Sequence, residues 1–378
     1  MSEYNPQEAA SWAPRHNAAL FGHEAAEKTL LDAWASGRLP HGWLITGPKG
    51  VGKSTLAFRF ARFLLKQGPA AGLDSGPGLF GDAPVLPGSL AVAEDDAVFS
   101  RVANAGHADL ISVERSWDDK SDRWRGDIVV QDVRAVIDRF GKTAAEGGYR
   151  VCIVDAADDM NVNAANALLK ILEEPPPNAV LLLVSHAPGG LLPTIRSRCR
   201  RLTLKPLEDV AMQQTLDRLL PDLAAAERHG LAVLAEGSPG RAVTLAAQGG
   251  LKLLHGLLEM VGQLPKPDIA KLHAFGDALA RDRSGTGFQL MTELFRWWLA
   301  RMVRAAAAGR IGGPGWAEIF PGETGLAMRL AQWQAPARWA EDWEQFGRLL
   351  DRGESVNLDR KQMLLNLFAA LSRSAAVR

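Results

Sequence analysis

A chain of 378 residues is too long for one hydrophobic core of ordinary size, so two or three domains are expected, and 47% apolar residues suffice to fill them. Lys plus Arg and Asp plus Glu number 43 each, which excludes a chain drawn as a whole to DNA or acidic membranes; any nucleic-acid contact has to be local or shared with partner chains. Cys152 and Cys199 alone exclude a disulfide framework and a cysteine-built zinc site, the opening MSEYNPQEAA lacks the apolar core of a signal peptide, and no stretch is apolar enough to span a membrane, so a soluble cytoplasmic protein is expected.

In chain order, Glu24 to Ala35 reads as a helix, His41 to Thr46 as a short apolar strand and Ser54 to Lys66 as an apolar-faced helix. Such alternation predicts an α/β fold with a parallel sheet and covering helices. Gln67 to His107 breaks the rhythm, and its first part, dense in Gly and Pro, reads as a long irregular excursion. Strands are then expected at Leu110 to Val113 and Asp127 to Val130, a helix at Gln131 to Phe140, and a strand at Tyr149 to Asp155. A helix from Asn163 to Glu174 is stopped by Pro175-Pro176-Pro177. Ala179 to Ser185 fits a buried strand and Arg200 to Leu204 a last one, with Lys205-Pro206-Leu207 as the exit from the α/β part. Beyond it only helical periods remain: three short helices over Asp209 to Ala247, then a separate helical domain from Leu251 to Arg378. There Trp339, Trp343, Phe346 and Leu350 share one helix face, and six of the eleven tryptophans lie beyond residue 296, a pattern that favours helix packing over base or cofactor stacking.

Residues Gly47 to Ser54 read GPKGVGKS, a full match to GxxxxGK[ST] between a strand and a helix. Glycines let consecutive N–H groups converge on a phosphate, and the helix N-terminus adds its positive dipole end. A chance glycine-rich turn would not need those flanking elements. Gly47, Pro48, Lys49, Gly50, Val51, Gly52, Lys53, Ser54 and Thr55 are therefore the expected nucleotide-binding loop. Lys53 would reach the β- and γ-phosphates and the Ser54 hydroxyl would hold Mg²⁺, so ATP or ADP with Mg²⁺ is the expected cofactor.

The strand from Arg150 ends in Asp155, a carboxylate placed to hold Mg²⁺ opposite Ser54; the plainer reading is a helix-capping aspartate, and the loop upstream favours the metal. The next residue governs turnover. Hydrolytic P-loop proteins usually carry a glutamate there to orient water, whereas this chain has Ala156, whose methyl group polarises nothing. Asp158 and Asp159 follow, where solvated or capping roles are expected ahead of that of a substitute base. Arg196, Arg198, Arg200 and Arg201 fall within six residues. Such a run is ordinarily a solvated face, but guanidinium groups also suit a triphosphate's developing charge, including in trans from a neighbouring subunit.

Together, GPKGVGKST at 47–55, NALLKILEEPP at 166–176 and Ser197-Arg198-Cys199 resemble the clamp-loader branch of the AAA+ ATPases. RLPHGWLITGP at 38–48, with Phe21-Gly22-His23 upstream, is similar to the opening of its bacterial members, and Asn357-Leu358-Asp359 followed by MLLNLFAAL resembles their C-terminal end. The motifs span residues 15 to about 245. The resemblance implies a P-loop AAA+ parallel-sheet domain over 1–205, a three-helix lid over 206–248 and a helical collar for oligomerisation over 249–378. It implies that Arg198 is an arginine finger acting on the nucleotide of an adjacent motor subunit, that Ser185 or its neighbour His186 is the first phosphate sensor, and that Phe21 to His23 lie near the adenine. Arg241 matches the second sensor, one residue off the motor subunits' pattern. Implied partners are the other clamp-loader subunits, namely motor subunits of the tau/gamma kind and a delta subunit, with the sliding clamp reached indirectly, primed DNA reached through the assembly, and no membrane. Members commonly carry a four-cysteine zinc module after the P-loop helix; no cysteine lies between 56 and 151 here, so no zinc is expected. Ala156 separates the chain from the motor members and leaves the role of an assembly subunit that helps open and load the clamp, with weak or absent ATP hydrolysis of its own. The rival readings are an autonomous motor ATPase of the tau/gamma kind or a branch-migration helicase and, against the SRC and EEPP segments, a P-loop kinase.

Overall fold

The computed structural model describes residues 12–69, 87–118, 123–140, 144–146, 148–282, 285–355 and 359–376. The Gly/Pro-rich stretch over 70–86 and the tail residues Asn357 and Leu358 lie outside the described residues. The chain forms two compact units. The first runs to Leu219 and adds Glu236–Gly240; the second comprises Leu220–Ala235 and the chain from Arg241 on, so the 206–248 segment is shared between them.

The first unit contains α1 (Glu24–Ala35), β1 (Gly42–Thr46), α2 (Lys53–Gln67), α3 (Ala97–Ala103), β2 (Leu110–Val113), the short pair β3 (Trp117–Asp118) and β4 (Arg123–Trp124), α4 (Val130–Phe140), β5 (Arg150–Asp155), α5 (Val162–Glu173), β6 (Ala179–Ser185), α6 (Pro193–Arg198), β7 (Arg200–Thr203) and α7 (Asp209–Leu219). Five strands form one parallel sheet in the order β2-β5-β6-β1-β7. Strands covered on both faces need apolar residues at every position, and β1 and β6 are buried throughout. The period of two then sorts their side chains. Trp43, Ile45, Val151, Ile153, Val180 and Leu182 join the layer beneath α1, α2 and α3. Leu44, Cys152, Val154, Leu181 and Leu183 join the layer beneath α4, α5 and α6.

The expected strand at Asp127 to Val130 is absent. Ile128 makes a single bridge to Met160, and the Asp132 carboxylate accepts the Val129 N–H at 3.0 Å, so the side chain closes a helix start and α4 begins at Val130. Beyond the Gly/Pro-rich part of Gln67 to His107, Asp96 caps α3 by accepting the Val98 N–H.

The second unit is helical: α8 (Ala225–Ala235), most of α9 (Pro239–Ala247), α10 (Gly250–Val261), α11 (Ile269–Arg281), α12 (Thr286–Ala307), α13 (Glu323–Ala331), α14 (Pro336–Ser355) and α15 (Arg360–Ala376). α12 packs on α10 and α14, and α11 on α15. The tryptophans serve packing: Trp298 and Trp339 are fully buried, Trp333 stacks on Trp339, and Phe346 lies beside Phe295. Trp343 is half-buried and donates to the Arg296 carbonyl at 2.9 Å, while the side chain of Leu350 lies outside the described residues.

One polar knot organises this core. Glu323 has no exposed surface, and its carboxylate accepts from Trp298 Nε1 at 2.8 Å, Arg301 Nη1 at 2.6 Å and the Ile319 N–H at 2.6 Å. As the first residue of α13 it also sits at the favourable end of the helix dipole. Arg301 in turn lies 3.9 Å over the Trp316 ring. Deleting one partner strands the other's charge, so Glu323→Ala is expected to cost about 3 kcal/mol of unfolding free energy, read from the midpoint of denaturant unfolding.

Candidate functional site

The register of β1, β5 and β6 brings three strand tips level at the carboxyl edge of the sheet: Thr46 pairs with Ser185, and Asp155 with Val184. In parallel sheets ligands bind at that edge. The loop from Gly47 to Gly52 leaves β1 there and returns as α2. Its turns use backbone that side chains resist, with φ of 144° at Gly47, 80° at Gly50 and 106° at Gly52. A Cβ on Gly47 would stand 2.4 Å from the Leu204 carbonyl oxygen, so only glycine fits.

Among the described residues, none of the backbone N–H groups of residues 49–55 donates a hydrogen bond within the chain. A run of free donors at a helix start is a receptor for an anion. Lys53 is 2% exposed, and its Nζ donates to the Gly47 and Pro48 carbonyls at 2.8 and 2.6 Å. Burial pushes its ammonium down to about 8 against the pull of Asp155 and Asp158. The Ser54 hydroxyl draws the Asp155 carboxyl toward its charged form, but burial outweighs it and holds that carboxyl above its ordinary value. This hydroxyl and carboxylate form an oxygen pair of the kind Mg²⁺ takes. No cluster of metal-ligating side chains suited to zinc occurs among the described residues.

Ala156 is buried at the tip of β5. Both carboxylates beyond it are committed. Asp158 accepts from Ser185 Oγ at 2.7 Å, from the His186 N–H and from the Ala187 N–H at 3.3 Å, and Asp159 pairs with Arg115 at 3.3 Å. Ser185, fully buried, therefore spends its hydroxyl hydrogen on Asp158. His186 is half-buried with Nδ1 unpartnered; burial first, and then the Lys53 charge, hold its imidazole below the ordinary value. Of the two residues at the end of β6, His186 is the one with a free ring nitrogen.

Two segments distant in sequence complete the loop's surroundings. His23 Nε2 donates to the Val51 carbonyl at 2.7 Å, which fixes the Phe21 to His23 turn against the loop. From beyond α7, Ser238 Oγ donates to the Lys49 carbonyl at 2.8 Å and the Gly240 N–H to the Gly50 carbonyl at 2.9 Å. The sequence reading missed this second docking; the sign of it was Gly240 itself, where a Cβ would meet Gly50 Cα at 2.8 Å. Arg241, the next residue, belongs to the second unit, and its guanidinium pairs there with Glu293 at 2.9 Å.

Arg198 stands elsewhere. It closes α6 immediately before β7, and β7 runs parallel to β1 with Arg200 opposite Trp43 and Thr203 opposite Thr46. Its carbonyl oxygen lies 3.4 Å from where a Cβ on Gly42, the first residue of β1, would sit. Arg198 is thus at the amino edge of the sheet and the Gly47 loop at the carboxyl edge, roughly 16 Å apart along β1 at about 3.3 Å per residue. Its side chain is exposed, with Nη2 2.8 Å from Glu173 and Nη1 3.1 Å from the Thr194 carbonyl. Of the other arginines in the run, Arg200 covers the Trp43 ring and Arg201 reaches the Thr46 hydroxyl at 3.4 Å.

The family model described as DNA polymerase III, delta subunit, matches residues 93–208. The chain is 34% identical over 264 residues to DNA polymerase III subunit delta' of Pseudomonas aeruginosa, covering 70% of this chain and 72% of that one. Subunit delta' of Bacillus subtilis is 31% identical over 189 residues, covering 50% and 49%. Subunit gamma/tau of Mycobacterium bovis is 33% identical over 211 residues, covering 54% of this chain and 31% of its own longer one.

Proposed function

Because the chain belongs to the delta-prime family of DNA polymerase III clamp-loader subunits, we propose that it serves in the assembly that opens the sliding clamp and loads it on primed DNA, lending Arg198 to the nucleotide of an adjacent motor subunit. The observation that carries this reading is the separation of Arg198 from the chain's own loop by the length of β1, which supports a role in trans over one at its own site. Subunits joined head to tail bring two different faces together, so an arginine remote from its own loop can stand at the loop of the next subunit.

The residues at the loop fit a Mg²⁺-bound nucleoside triphosphate: free N–H donors over residues 49–55, the Lys53 ammonium, and the Ser54–Asp155 pair for the metal. Bound there, the nucleotide supplies negative charge that joins β1, β5 and β6 at their tips. His186 Nδ1 is the side-chain group left to read the outer phosphate once Ser185 is tied to Asp158. Turnover at this site is weak, since Ala156 offers no carboxylate and Asp158 and Asp159 are engaged with other partners. That weighs against the autonomous motor or helicase reading. The 206–248 segment acts as a lid through Ser238 and Gly240, and the helices from 249 on act as the collar.

The test is omission. A mixture of motor and delta subunits, clamp and primed DNA is expected to load clamps at background rate without this chain and to recover when it is added; loading that never depends on it would refute the proposal. A second expectation concerns pH. An ammonium is the form that meets phosphate, so affinity for ATP should hold steady up to about pH 8 and fall above it as Lys53 loses its proton. Calorimetric titrations between roughly pH 6 and pH 10 would detect this, and affinity level throughout would contradict it.

A further inference from the structure

We propose that Glu173 is the positioning residue for Arg198, holding its guanidinium ready for the neighbouring subunit; this rests on the reading of Arg198 as a residue acting in trans. The two side chains close their helices, Glu173 at the end of α5 and Arg198 at the end of α6. A helix C-terminus favours a cation and disfavours an anion, so local physics explains Arg198 and not Glu173. What the carboxylate does have is the guanidinium, 2.8 Å away. The second fastening is the Thr194 carbonyl, one turn back along α6, which accepts from Nη1 at 3.1 Å.

The base beneath this pair is tight. A Cβ on Gly42 would meet Leu172 at 3.0 Å, Cys199 Sγ at 3.3 Å and the Arg198 carbonyl at 3.4 Å, so the ends of α5 and α6 converge on one glycine. His41 Nε2 adds a hydrogen bond to the Leu172 carbonyl at 3.1 Å. A long arginine side chain loses rotamer freedom whenever it engages a phosphate. Here two bonds on a rigid footing hold it in one place beforehand, which lowers what remains to be ordered at the interface.

The exposure of the pair makes the role testable. Side chains that are 35% and 48% exposed form an ion pair of little worth to folding, so loss of Glu173 leaves stability in place and acts through Arg198. In single-turnover hydrolysis by the reconstituted assembly with clamp and primed DNA, Glu173→Ala is expected to lower the kcat of the adjacent motor site about tenfold with its KM within about twofold, since misplacing a group that acts in the transition state spares ground-state binding. Glu173→Gln, which keeps an acceptor, should fall between the two. In an Arg198→Ala background, Glu173→Ala should change nothing further. An unchanged or raised kcat for Glu173→Ala, or a loss that multiplies with that of Arg198→Ala, would overturn the inference while leaving the trans reading intact. A silent Arg198→Ala would overturn both.

Discussion

Arg198→Ala is expected to leave this chain folded, with its own nucleotide affinity within about twofold of the parent, and to cut ATP turnover at the neighbouring motor site about a thousandfold. Two features set these opposite outcomes. The side chain is exposed and its bonds to Glu173 and Thr194 are surface contacts, so folding loses little. Its place at the amino edge of the sheet keeps it away from the loop after β1, so the chain's own site does not sense the change. In an assembly with several motor sites only one would be disabled, and steady-state turnover would fall by that site's share while clamp loading, which needs the whole ring, would fall further. Single-turnover ATP hydrolysis by the assembly measures the disabled site directly as a slow phase absent from the parent. Arg198→Lys should rescue little, because a point charge does not replace a planar fork of donors.

The isolated chain is expected to bind ATP with Mg²⁺ and to hydrolyse it slowly, with turnover about a hundredfold or more below that of a motor subunit. Lys53→Ala should abolish measurable binding, since it removes the buried ammonium that the loop carbonyls hold in place. Ala156→Glu is the informative gain-of-function variant. Ala156 is buried, and a glutamate there would have to displace neighbours at the tip of β5 before it could orient water, so any rise in turnover should be small. Fluorescent-nucleotide titration and phosphate release separate the two properties. Turnover equal to that of a motor subunit would return the chain to the motor class.

Much of this site is legible in the sequence because it is local. The strand, glycine loop and helix around Lys53 are contiguous, and an apolar run ending in Asp155 announces its own tip. The parallel sheet follows from apolar runs too short for helices. What the sequence conceals is which distant groups share a hydrogen bond. Ser185 is committed to Asp158 across 27 residues, and nothing in either segment says that a serine there will lack a free hydrogen. The strand expected around Ile128 fails for a similar reason: the apolar pair Val129-Val130 reads as extended, but Asp132 captures the backbone and starts a helix. Arg241 illustrates the remaining limit, since its partner Glu293 is 52 residues away in the same helical unit. Gly42 carries almost no sequence signal, although its missing side chain lets the ends of α5 and α6 meet beside Arg198.

The most direct test of the subunit's role compares Lys53→Ala and Arg198→Ala in the same assembly, by the rate of clamp loading on primed DNA with every other subunit unaltered. A chain that lends its arginine and does not fire its own nucleotide predicts a small loss for Lys53→Ala and a large one for Arg198→Ala. The reverse ranking, with Lys53→Ala crippling the assembly and Arg198→Ala silent, would contradict it.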